Sequence, residues 1–510
     1  MARVEELIPQ QISQIDLKPR GRVQLSPVNW RDQFLYYLLP DRFSDDHESQ
    51  RELFDRTNPL KYKVNNKACW MTAGTNYVGG NLRGIKSKLN YLQRLGVTAL
   101  WIAPVYDYGS QNFLDINFNF GTRQHLRDLI DAAHERDIYV ILDLIYPPNL
   151  NTISDLIKVY QYWIALSDCD GFRVDVGQHL SPTDSRQLCT AIHEYSQSIG
   201  KDNFLIVGEI TADSMADAEI DIFSRNLNAV MDNSKIPDKL SAVAKGIAHP
   251  SEFFTIYDEA NFAGQYRQLG QYHVSVLDHE DMPSPTRKQR FATYKDVPNL
   301  DQQVAHAVGI QLTTPGIPSI YYGTEQAFGS NEADNDYSIE HKYFVEGRSI
   351  QEAMFGGDFG AFQTAGCHFF DIDHPTYLRI AAIAHLRARL DQIGKALRRG
   401  HHYLRKTSFC NQPFSIPPQG ELVAWSQVLF NTEVLMAINT NALEYRGAEV
   451  TVDAHLHPDG SNMTFLYKSD WKDADLRHPP HYQTVTVQHH NDGRATVRID
   501  LPASGMAILT

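Results

Sequence analysis

Positive charge is scarce in this chain of 510 residues: 47 lysines and arginines stand against 61 aspartates and glutamates, a formal net charge of −14. That balance argues against nucleic acid or an anionic membrane surface as a partner, since both share the protein's sign. A neutral polyol is indifferent to it. Long apolar runs are missing too. The opening stretch MARVEELIPQQISQIDLKPRGRV has no apolar core of the secretory kind, and nothing approaches the ~20 apolar residues that span a bilayer. Cysteine is sparse. Cys69, Cys169, Cys189, Cys367 and Cys410 are odd in number and lack metal-ligand spacing, which reads as reduced thiols of a cytoplasmic protein. No glycine-rich phosphate loop follows the first strand-like run, which weighs against a nucleotide-binding open sheet. No metal site and no cofactor is expected.

What the chain does have is alternation. After a polar arm over 1–30, strand-length apolar runs fall at 34–39, 99–103, 139–144, 171–176, 204–208, 227–231, 272–277 and 318–322. Helix-period segments lie between them, as at 123–136, where Leu126, Leu129, Ile130 and Ala133 share a face, and at 154–166. Eight strands alternating with helices predict an α/β protein whose parallel sheet closes as a (β/α)₈ TIM barrel over 31–400. From about His401 the pattern becomes short alternating strands with turn signals, at 422–425, 434–438, 449–452, 484–487 and 495–499. That predicts a C-terminal antiparallel β-sandwich domain over 401–510. Trp70, Trp101 and Trp163 read as core, and His401 and His402 as surface.

Chemistry on a TIM barrel sits at the C-terminal ends of its strands. Those ends carry Asp143 after the third run, Arg173 and Asp175 on the fourth, Glu209 after the fifth, and Asp278 and Asp281 after the seventh. Acids gathered on one rim repel one another, which is unfavourable unless they serve a purpose. Glycoside hydrolysis needs such a pair: one carboxyl ionised as nucleophile, the other protonated as acid. Arg173 and Asp175 are two apart on a strand and share a face, so Arg173 can hold Asp175 ionised. Glu209 follows the apolar run LIVG, a drier place suited to the acid/base.

Six segments give these acids a family context. GFRVDVGQH (171–179), FLIVGEI (204–210), VILDLIY (140–146) and VLDHEDM (276–282) resemble, in order, the fourth-, fifth-, third- and seventh-strand motifs of α-amylase family glycosidases. GGNLRGIKSKLNYLQRLGVTALWIAPV (79–105) and TTPGIPSIYYGTEQ (313–326) are similar to the family's flanking segments. The resemblance spans most of residues 30–400. It implies Asp175 as nucleophile, Glu209 as acid/base and Asp281 as the carboxylate that stabilises the distorted sugar. It further implies that Arg173 supports the nucleophile, that His179 lines the acceptor side and that Asp143 is the third-strand aspartate. On their own chemistry, His279 is a candidate substrate-side donor in place of the missing histidines and Tyr322 a candidate for stacking on sugar. For Tyr321 and Tyr322 barrel filling is an equally good reading.

The chain departs from the family pattern in three places. Pro147 and Pro148 stand where the third-strand motif ends in Asn-His. His279, Glu280 and Asp281 stand where the seventh-strand motif reads Asn-His-Asp; shifted by one, Asp278, His279 and Glu280 take those places. The first register keeps Met282 and the downstream RKQRFA in phase. Finally, Asp143 and Asp175 are only 175 − 143 = 32 positions apart, so 146–153 replaces the small insert domain of the family. A structural calcium between insert and barrel is then not expected, while the acidic loop 41–46 reads as solvated. The long loop 323–374 is expected to cover the barrel mouth and replace part of the lost wall.

Losing one preorganised donor costs ~3 kcal/mol, about two orders of magnitude in rate, and losing two leaves an enzyme ~10⁴-fold slower. The expected activity is therefore that of a slowed retaining glycoside hydrolase or transglycosylase on α-glucosidic bonds of malto-oligosaccharides or related α-glucans. The alternative is a catalytically silent α-glucan-binding or scaffolding protein derived from the same fold.

Overall fold

A computed structural model describes residues 12–107, 112–144, 152–175, 180–210, 224–232, 236–257, 273–280, 290–293, 297–329, 351–480 and 482–510. Eight parallel strands close into a barrel: β1 Leu35–Leu38, β2 Ala99–Ile102, β3 Tyr139–Leu144, β4 Gly171–Asp175, β5 Leu205–Ile210, β6 Ala229–Asp232, β7 His273–Val276 and β8 Ile317–Tyr321. Each pairs with its neighbours in sequence, and β8 closes on β1 with Leu35 opposite Ser319 and Tyr37 opposite Tyr321. Each of the eight apolar runs overlaps one of these strands, with ends that differ by up to two residues, at β5 and β6. They are apolar because helices cover the outer face and side chains fill the inside.

The covering helices are α1 Leu89–Leu95, α2 Arg123–His134, α3 Ile153–Ser167, α4 Pro182–Ser198, α5 Ile236–Ala244, α6 Leu300–Thr313, α7 Pro375–Ala388 and α8 Gln392–Arg399. Their starts are written locally. The hydroxyls of Thr122, Thr152 and Ser181 accept from the amides of His125, Asp155 and Asp184, and Pro182 occupies the first turn of α4. The predicted face of α2, with Leu126, Leu129, Ile130 and Ala133, is buried against the barrel.

The C-terminal region is antiparallel: β9 His401–Arg405, β10 Thr407–Ser408, β11 Leu422–Leu429, β12 Thr432–Asn439, β13 Arg446–Val452, β14 Asn462–Lys468, β15 Thr484–Thr486, β16 Gln488–His489, β17 Ala495–Leu501 and β18 Met506–Leu509. They form a six-stranded sheet ordered β9-β11-β12-β18-β14-β15 and a four-stranded sheet ordered β10-β13-β17-β16. This region is fixed to α6. Trp425 Nε1 and Gln427 Nε2 both donate to the carbonyl of Thr313, at 3.2 and 2.8 Å, and His306 Nε2 lies 2.8 Å from the Tyr467 hydroxyl. Gly309 permits the contact: a Cβ there would stand 2.7 Å from the sulfur of Met506.

Trp70, Trp101 and Trp163 are buried as expected. His402 is not on the surface. It is buried, its ring stacks on Phe254 at 5.6 Å, and Gln427 Nε2 lies 3.1 Å from its Nδ1. Residues 251–254 lie far away in sequence, so no local pattern announces this packing. Cys169, Cys189 and Cys367 are buried thiols, and burial pushes Cys169 and Cys189 up to about 12.

Candidate active site

Strand register assembles the site. Asp143 on β3 is the register partner of Arg173 on β4, and Asp175 at the end of β4 is the partner of Glu209 on β5. Paired residues of a parallel ladder lie side by side, and the side chains of Asp143, Arg173 and Glu209 meet at the C-terminal end of the barrel. Arg173 Nη1 meets Asp143 Oδ1 at 3.0 Å, and its Nη2 pairs with Glu209 Oε2. The Asp143 side chain is only 2% exposed, and those of Arg173 and Glu209 are 12% exposed. One guanidinium thus joins two acids from two other strands. Glu209 does occupy a dry place, but beside a cation. The side chain of Asp175, and the whole of His179 and Asp281, lie outside the described residues, as does the short stretch 145–151 in place of an insert.

A second group borders the first. The Tyr37 hydroxyl, from β1, donates to the Glu280 carboxylate, and the His279 ring stacks on Tyr37 at 5.3 Å and 15°. Burial, then the nearby charges of Glu280 and Asp143, push the Tyr37 phenol well above its usual value. Burial first, and then the charge of Arg173, lower His279 to about 3, so it is a neutral ring at neutral pH. As a neutral group His279 can offer a hydrogen bond to a developing charge but no cation. Asp278 serves a structural end: buried, it accepts from the Phe291 amide at 2.7 Å and from the Thr324 hydroxyl at 3.2 Å.

Tyr321 and Tyr322 are both fully buried. Arg290 donates to the Tyr322 carbonyl at 2.7 Å and lies 4.6 Å from the Tyr321 ring centre and 5.2 Å from that of Tyr322. In this structure they fill the barrel around a cation rather than present an open face. Tyr37 and Arg290 escaped the sequence reading. Tyr37 lies in an unbroken apolar strand, and Arg290 in a basic stretch with no period.

Among the described residues no three or more His, Cys, Asp or Glu side chains gather as metal ligands. The acids of loop 41–46 are engaged elsewhere. Asp41 accepts from the amides of Val78 and Gly79 at 2.9 and 3.1 Å, and Asp45 takes the Arg51 fork at 2.8 and 2.6 Å. No helix among the described residues is long and apolar enough to cross a membrane.

The described residues thus combine a closed (β/α)₈ barrel, with acids at its C-terminal rim, and the antiparallel sheets that follow it. Residues 37–149 match the family model described as the alpha amylase catalytic domain. Over 361 residues the chain is 23% identical to a cyclomaltodextrinase of Bacillus sp., covering 59% of this chain and 60% of that protein. Over 411 residues it is 24% identical to a cyclomaltodextrin glucanotransferase of Klebsiella oxytoca, covering 61% and 60%. The chain therefore spans about 60% of the length of these curated relatives. Its fold is that of an Anoxybacillus α-amylase crystal structure, with a TM-score of 0.65, 19% identity, and coverage of 95% of this chain and 99% of that one.

Proposed function

We propose that this protein is a retaining glycoside hydrolase or transglycosylase acting on α-glucosidic bonds of malto-oligosaccharides or related α-glucans. In this reading Asp175 attacks the anomeric carbon, and Glu209 protonates the departing glycosidic oxygen. Glu209 then takes a proton from the water or sugar hydroxyl that releases the glycosyl-enzyme. Asp281 stabilises the distorted ring, and Asp143, Arg173, His179, His279 and Tyr322 form the substrate's surroundings. No cofactor takes part, and the reduced thiols support a cytoplasmic setting.

The observation that carries this reading is the pairing of Asp175 with Glu209 at the ends of adjacent strands. Neighbouring strands lie ~4.8 Å apart, a backbone spacing that suits the ~5 Å carboxyl separation of retaining enzymes better than the wider inverting one. Activity also requires that Glu209 leave Arg173, because a carboxylate held by a guanidinium is a poor proton donor.

That same ion pair favours a second reading, a silent α-glucan-binding protein whose acid stays locked. Incubation with maltoheptaose and with an aryl α-glucoside separates the two. The enzyme releases sugar, and Asp175→Ala and Glu209→Gln abolish the release. Binding of maltoheptaose in a calorimeter without cleavage, or equal turnover by both variants, refutes the enzymatic reading.

A further inference from the structure

Helix α7 is apolar on two sides. Ile383 and Ala384 pack against neighbouring helices: a Cβ on Gly309 of α6 would stand 3.1 Å from Ile383 Cδ1, and one on Gly96, just past α1, 2.8 Å from Ala384 Cβ. Leu378, Ala381, Ala382 and Leu386 repeat at helical spacing on the other side and line a cleft of about 670 Å³. Across it stand Leu466 of β14 and Leu476 of the short helix Asp473–Arg477. The cleft therefore lies where the outer helices of the barrel meet the C-terminal region. Small-ligand sites favour such junctions, and this volume falls within their range of about 300–1,000 Å³.

Cations stand around the apolar floor. Arg94, Arg389 and Arg477 line the cleft, and among the described residues no acid does. Two of the three are already paired. Arg389 Nε donates to Asp391 at 3.0 Å, and Arg477 pairs with Asp373. Arg94 is exposed, and among the described residues its guanidinium meets neither a carboxylate nor a carbonyl. Its own backbone carbonyl is occupied by His385 Nε2 at 3.0 Å. An exposed arginine is ordinary by itself; beside an apolar trough it supplies the charge that orients an amphiphile. A sugar finds little here. Tyr377, the aromatic residue of the lining, is buried, and its hydroxyl is spent on the Tyr91 carbonyl at 2.7 Å.

We propose that this cleft binds an amphiphilic monoanion, with a carboxylate against Arg94 and an aliphatic chain laid along Leu378, Ala381, Ala382 and Leu466. Burial of the chain supplies the affinity, and the carboxylate–guanidinium pair sets its direction. The lining shares no residue with the acids at the barrel mouth, so the site is independent of the proposed activity.

Calorimetry and thermal unfolding with decanoate, hexanoate and decyltrimethylammonium, each below its micelle concentration, test this on wild type, Arg94→Gln and Ala382→Trp. Decanoate is expected to bind saturably at one site per chain and to raise Tm. It should bind at least about tenfold tighter than hexanoate, which buries less chain, and than the cationic amphiphile. Arg94→Gln should remove the preference for the anion, and Ala382→Trp, which fills the cleft, should abolish binding. Arg94 is exposed, so its variant serves even if the tryptophan unfolds the chain. Absence of saturable decanoate binding, equal affinity for the cationic amphiphile, or undiminished binding by Arg94→Gln would overturn the proposal. So would decanoate binding that survives in a folded Ala382→Trp protein. Displacement of decanoate by maltoheptaose would give the cleft to glucan instead, and a wild-type dimer in sedimentation that Ala382→Trp dissolves would give it to a second copy of the chain.

Discussion

Asp143 and Arg173 meet at 3.0 Å across adjacent barrel strands, and the guanidinium that Asp143 holds also reaches Glu209 on the next strand. The contact follows from register alone, since the two residues are Cα partners. An arginine so placed fixes the relative height of three strands at the rim. It also keeps two acids from repelling each other in a poorly solvated place.

Replacing Arg173 should therefore affect both folding and turnover. Arg173→Ala removes the cation that Asp143 and Glu209 share, and breaking a buried pair of this kind costs about 3–5 kcal/mol. Arg173→Lys keeps the charge but cannot bridge two carboxylates as a fork does, so a smaller loss of stability is expected, with kcat falling ~10²-fold. Urea titration and malto-oligosaccharide turnover measure the two effects. An Arg173→Ala protein as stable as wild type would show that the bridge carries no load.

Acid should destabilise the fold well above the usual carboxylate range. Burial holds His279, His306 and His402 each at about 3, helped for His279 by Arg173 and for His402 by Arg405. The unfolded chain takes up these protons near pH 6.5 while the folded one refuses them. Stability is thus fully present above about pH 6.5 and falls as pH drops toward 3, by up to ~1.4 kcal/mol per pH unit for each histidine. Glu433 adds a step at lower pH. Burial would raise it, but the hydrogen bond from His457, the charge of Arg405 and the Ser426 hydroxyl outweigh burial and hold it at about 2. Its contribution is present above about pH 4.5 and lost toward 2. Urea midpoints measured from pH 7 to 4 should fall steeply, and His306→Gln should flatten that slope. A flat profile would contradict the buried neutral rings.

Removing divalent metal should leave the melting temperature unchanged. The third-strand motif places Pro147 where an oxygen ligand is needed, and among the described residues no cluster replaces it. Elemental analysis of the purified protein and melting with and without a chelator decide the matter. A fall of several degrees in chelator would reveal a structural ion.

The barrel was legible because each of its strands is buried on both faces and so reads as an unbroken apolar run, bounded by capped helices such as α2 and α3. The positions of Asp143, Arg173 and Glu209 were legible as strand ends. The partners of Arg173 were not. Period two says which face Arg173 occupies, but its lateral neighbours depend on register between β3, β4 and β5, which no single segment encodes. The same reason hid Tyr37, which reaches Glu280 across more than 240 positions of chain. His402, at a strand start, carries no local mark of the Phe254 ring that covers it.

The segment 351–374 belongs to the long loop expected to wall the mouth, and Gly356 tests whether it does. Gly356 has φ +77°, and a Cβ there would stand 1.2 Å from the carbonyl oxygen of Cys367. The glycine thus lets two backbone runs of the loop pass in contact, with Met354, Phe355 and Phe359 buried beside them. Cys367 and His368 in turn pair with Glu52 and Leu53, which ties the loop to the excursion after β1. Gly356→Ala combines left-handed backbone strain of about 1–3 kcal/mol with a backbone clash, so a loss above about 3 kcal/mol is expected, met by local displacement of the loop. If the loop lines the substrate path, KM for maltoheptaose rises several-fold in the folded variant while KM for a short aryl α-glucoside stays close to wild type. A folded Gly356→Ala protein with both KM values unchanged would place the loop outside the substrate wall.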